Sequence, residues 1–195
     1  MTARDLLINI SPKNDRLLFV QGFAQLCIAG ATLSTIGTTV VSYTTSSGSD
    51  FTVLGQLARN LAPWSASKEE QIVSAIDAFN QITDPSRKAY SLLLARMSRL
   101  AMIIAKAAQG RGTVVWDDIS PASSCTSDGS CPAGGMGDSD ALQFKAEIIT
   151  LNNDASSLQL TGLRDLSDLL NSSFGVLVGA DAIRYKVRNS IVPAN

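Results

Sequence analysis

Histidine is missing from this chain altogether. That removes the commonest general acid–base side chain, the commonest metal ligand and any Ser–His or Cys–His nucleophilic pair. Charge is also scarce. Asp, Glu, Lys and Arg make up 17% of the residues, against about 25% in an average soluble domain. The positive and negative groups nearly cancel, leaving a net charge of −1. No global field therefore draws the chain toward nucleic acid or anionic membranes. Low charge beside 45% apolar residues excludes disorder, which needs the opposite balance. With only three cysteines and no histidine, a four-ligand zinc site has too few donors.

The shortage of charge is concentrated. From Leu17 to Ser49, 33 consecutive residues carry no Asp, Glu, Lys or Arg. Within this stretch Gln21, Gln25, Thr32, Thr35, Thr39 and Ser42 recur at helical spacing and form one uncharged polar seam. The pattern predicts a helix from Leu17 to about Tyr43, and Cys27 within it reads as a small buried hydrophobe. Three environments suit such a segment. It is long enough to span a bilayer, for which about 20 apolar residues suffice. It could be the central helix of a bundle. It could also be buried by other copies of the chain, with Gln21, Gln25, Gly30, Thr32 and Thr35 at the contact. Amides and hydroxyls bond across an interface without the desolvation cost of a charge.

Further along, the hydrophobic period is mostly helical. A short helix is expected over 50–61, stopped by Pro63. Ser67 with Glu70 reads as a capping box opening an amphipathic helix that buries Ile72, Ile76 and Phe79. Pro85 starts the next helix, 86–109, whose stripe is Tyr90, Leu93, Met97, Leu100 and Ile104. Leu158 to Leu170 also has helical spacing. Alternation predicts strands at 113–116, 142–148 and 183–187, with residues 4–10 as a strand or arm. At 142–148 a helix is nearly as well supported. The fold expected is mainly α, a bundle of four to five helices with a minor β element, α+β being the variant. The 195 residues suffice for a single domain. Its parts are an N-terminal arm (1–14), a helical core (15–110), a polar loop (117–140) and a C-terminal α/β segment (141–195).

Candidate sites are few. Lys88, Arg96, Arg99 and Lys106 project from one side of the fourth helix, and Arg111 follows it. Such a stripe could track a phosphate backbone, or be a solvated face paired with acids such as Glu69, Glu70 and Asp77. Arg184, Lys186 and Arg188 form a second basic ladder. Cys125 and Cys131 bracket a five-residue polar loop, and either a disulfide or two free thiols fits. Asp117, Asp118, Asp128, Asp138 and Asp140 do not match the EF-hand spacing. Gly175 to Gly179 is too short for a phosphate loop. No catalytic residues, metal or cofactor are assigned.

These features point to a non-enzymatic, self-assembling structural subunit of a shell, tube or filament. A viral-coat type is one version, with the basic stripe facing nucleic acid. Its partners are copies of itself, and its place an assembled particle or the cytoplasm, since no signal peptide is evident. The alternative is a membrane-associated or membrane-inserting protein using residues 17–43. A small ligand-binding domain or enzyme is the third class.

Overall fold

In the computed structural model, residues 14–32, 34, 36, 52–108, 136–156, 158 and 161–191 are described. Among them are seven α-helices and no strand. Helix α1 is Asp15–Ala29, α2 Thr52–Leu61, α3 Ala66–Asn80 and α4 Pro85–Ala108. After these come α5 (Asp138–Ala155), α6 (Thr161–Leu170), a π-helical turn at Asn171–Gly175, and α7 (Ala180–Ser190).

The ends of these helices follow from local chemistry. Asn14 Oδ1 accepts from Leu17 N at 3.0 Å, satisfying one of the first free amides of α1. The helix stops early because Gly30 takes the left-handed conformation (φ 94°). Its amide bonds Cys27 O, and Ala31 N bonds Leu26 O, the paired bonds of a Schellman turn. The expected continuation to Tyr43 is therefore broken at Gly30; residues 37–43 lie outside the described set. The cap of α3 is Ser65, whose Oγ accepts from Lys68 N at 3.2 Å. Ser67 and Glu70, read as the capping box, lie inside that helix. At α4, Asp84 Oδ1 accepts from Arg87 N at 2.7 Å, and Pro85 fills the first helical position.

Helices α1 and α3 pack face to face. The contact is built on Phe19, Phe23 and Phe79, with ring centroids 4.6–6.5 Å apart. Gly22 lets the Phe79 ring lie against the α1 backbone; a Cβ there would overlap it. At one end Asp15 accepts from the backbone amides of Thr83 (2.9 Å) and Asp84 (2.8 Å) and from the Thr83 hydroxyl. Helix α4 packs against α2, α3 and α5, and every residue from Ser91 to Ser98 is buried. Helix α5 in turn carries α6, the π turn and α7. Phe174 in the π turn meets Phe144 of α5 edge to face at 5.6 Å. The end of α7 closes back on α2, where a Cβ on Gly55 would lie 2.5 Å from the Ile191 carbonyl oxygen. One apolar cluster runs through all these contacts, from Leu18 to Ile191.

The mainly helical expectation holds, and the β element is corrected where it can be seen. Residues 142–148 belong to α5 and 183–187 to α7. Alternation over five to seven residues suits a strand, but each segment lies inside a longer helical pattern. Ala141, Phe144, Ile148, Leu151 and Ala155 are all buried on one side of α5, at steps of three and four. The proposed strands at 4–10 and 113–116 lie outside the described residues. Helix 158–170 begins later than expected, at Thr161. Cys27, expected to be buried, is exposed.

The Asp15 clasp carries a pH signature. Backbone hydrogen bonds from Thr83 and Asp84 hold its carboxyl below the ordinary carboxylate range. A depressed carboxyl stabilises the fold above its unfolded pKa, and that stability is lost as pH falls through the folded value. Asp15→Asn should lower the melting temperature near neutral pH and flatten its acid dependence below about pH 4. An acid limb identical to the parent would show that the clasp contributes nothing.

Candidate functional site

The densest array of charge lies between α4 and α5. The two helices run antiparallel: Lys106 meets Asp140 at 2.9 Å, while Arg99 and Arg96 meet Glu147 at 3.4 and 2.6 Å. Arg96 Nε also bonds Asp154. The acids Asp140, Glu147 and Asp154 are spaced seven residues apart, which keeps them on one flank of α5. Arg99 and Lys106 are seven apart on α4 and run in the opposite sense. At the next position in that register α4 carries Leu92. Asp154 is therefore served by Arg96, one turn away.

Burial decides what this array is worth. Arg96 is 8% exposed and Glu147 6%. Burial works against the Arg96 charge, but hydrogen bonds to Glu147 and Asp154 outweigh it and raise its pKa. Lys106 is raised as well, first by its hydrogen bond to Asp140. Its ammonium lies 5.6 Å from the Trp64 ring centre, and Trp64 Nε1 donates to Glu69 Oε2 at 3.0 Å. A second buried cation, Arg184 of α7, is 3% exposed. It bonds Asp138, Asp181 and the Met136 carbonyl oxygen, tying α7 to the start of α5.

The basic stripe of the sequence is thus brought together, but against carboxylates. Arg96, Arg99 and Lys106 point into the α4–α5 seam, and Lys88 donates to Asn80 O at 2.7 Å. The acids that form ion pairs with the stripe are those of α5; of the three expected on α3, Glu69 acts on Lys106 through its charge. Alternation at 142–148 favours a strand nearly evenly with a helix, and a strand does not align Asp140, Glu147 and Asp154 on one side. The available signal was the seven-residue repeat of acids beside the buried stripe of α5. The ladder Arg184, Lys186, Arg188 is not a sheet face, since it lies on α7. Asp138 and Asp140, assigned to the acidic loop, sit in the first turn of α5. Among the described residues no three His, Cys, Asp or Glu side chains gather as a metal site.

The proposed interface residues are divided. Gln25 is buried at 2% exposure and Gln21 is half-buried; the carbonyl oxygen of each has no hydrogen-bond partner. Gly30 is explained within the chain as the left-handed cap of α1. Thr32 is half-buried. Thr35, Arg111, Cys125 and Cys131 lie outside the described residues. Near the lower end of the α4–α5 seam a small open cleft is lined by Pro85, Lys88, Ala89, Leu92, Asn153 and Asp154.

Compared with protein-family models, curated proteins and solved structures, the chain shows no match.

What this arrangement can do is hold two helices in a single register. An antiparallel pair with acids on one flank and bases on the other resists sliding, because a shifted register leaves buried charges unpaired. Glu147→Gln should cost roughly 3 kcal/mol in chemical denaturation, at the low end for breaking a buried pair, as Asp154 still neutralises Arg96. Replacing Arg96 and Glu147 together by Leu should restore much of that loss. A single mutant as stable as the parent would remove the array from the list of structural determinants.

Proposed function

We propose that this chain is a non-enzymatic structural subunit that assembles with copies of itself. The observation that carries the reading is the pairing of buried charge with uncovered aliphatic side chains. Val178 is 88% exposed, Val176 69%, and Ile28 and Leu142 each 52%, while Arg96, Glu147 and Arg184 are buried. Exposed aliphatics scattered singly are ordinary. Here, among the described residues, Leu142 and Ile149 on α5 neighbour Val176 and Val178 in the segment that Lys145 bonds; Val20 and Ile28 on α1 and Tyr185 on α7 are the other large exposed apolar side chains. Grouped apolar surface marks sites of association.

The reading is not extended to nucleic acid through the 88–106 stripe. Three of its cations are spent on Asp140, Glu147 and Asp154, and phosphate would have to displace those carboxylates. The membrane alternative also draws little support, because among the described residues no helix is long and apolar enough to cross a bilayer.

Light scattering and negative-stain microscopy of the purified protein test the proposal, with and without mild detergent. Regular particles or defined oligomers that survive detergent are expected, with absorbance at 260 nm no higher than the protein accounts for. A monomer at all concentrations would overturn the reading. Material kept in solution only by detergent would replace it with the membrane alternative.

A further inference from the structure

We draw no further inference here: the strongest candidate, the open cleft between α4 and α5 lined by Pro85, Lys88, Ala89, Leu92, Asn153 and Asp154, belongs to the ion-pair seam already described, with Asp154 bonded to Arg96 and Lys88 to the Asn80 carbonyl oxygen.

Discussion

Burying Arg96 obliges the protein to supply it with carboxylates, and the pairing of α4 with α5 is how that is done. A buried guanidinium without a partner would cost several kcal/mol. Glu147 and Asp154 come from a helix more than fifty residues further along the chain. Once they are in place, the axial position of α5 on α4 is fixed by charge as well as by packing. The rest of the C-terminal half follows from α5. Phe144 receives Phe174, Asp138 receives Arg184, and Lys145 holds the Leu177 backbone. Removing the α4–α5 register would leave α6, the π turn and α7 without a platform.

The N-terminal half is held differently. Between α1 and α3 the contact is aromatic and aliphatic, with Phe19, Phe23 and Phe79 at its centre. Its polar members, Gln25 and Gln71, are buried with carbonyl oxygens that have no hydrogen-bond partner. Charge enters where Asp15 clasps Thr83 and Asp84 and where the Arg87 guanidinium lies 5.9 Å from the Phe19 ring centre. The molecule thus joins a largely uncharged helix pair to a charge-registered one through α4. That division accounts for the long uncharged stretch of the sequence.

Much of the helical layout was legible in the chain. The stripe from Tyr90 to Ile104, Pro85 at a helix start and the apolar faces of α2 and α3 all carry local signals. Errors arose where a local signal has two solutions. Leu142, Phe144, Ala146 and Ile148 alternate, but the structure buries Phe144 and Ile148 and exposes Leu142 and Ala146, as a helix does. Gly30 looked like a small interface residue within a long helix. Its role is to end that helix, and only a positive φ shows it. The basic stripe was correctly grouped, because residues seven apart on a helix share a side whatever lies opposite. Its ion-pair partners lie on α5, with Glu69 of α3 adding only its field at Lys106, because pairing depends on which helix comes to lie there.

What the sequence determined by itself was the helical class, the lack of histidine chemistry and the grouping of side chains on each helix face. These follow from composition and from the 3.6-residue period, which act over a few neighbouring residues. What the tertiary structure alone decided was which groups meet. It turned a stripe that resembled a phosphate-binding track into an internal ion-pair array. It also left Leu142, Ala146 and Ile149 exposed on a helix whose acids are spent on Arg96, Arg99, Lys106 and Arg184. The physical reason is that electrostatic and apolar contacts act through space, at distances the chain order does not encode. The same Arg96 would be a surface cation or a buried anchor according to where Glu147 is placed.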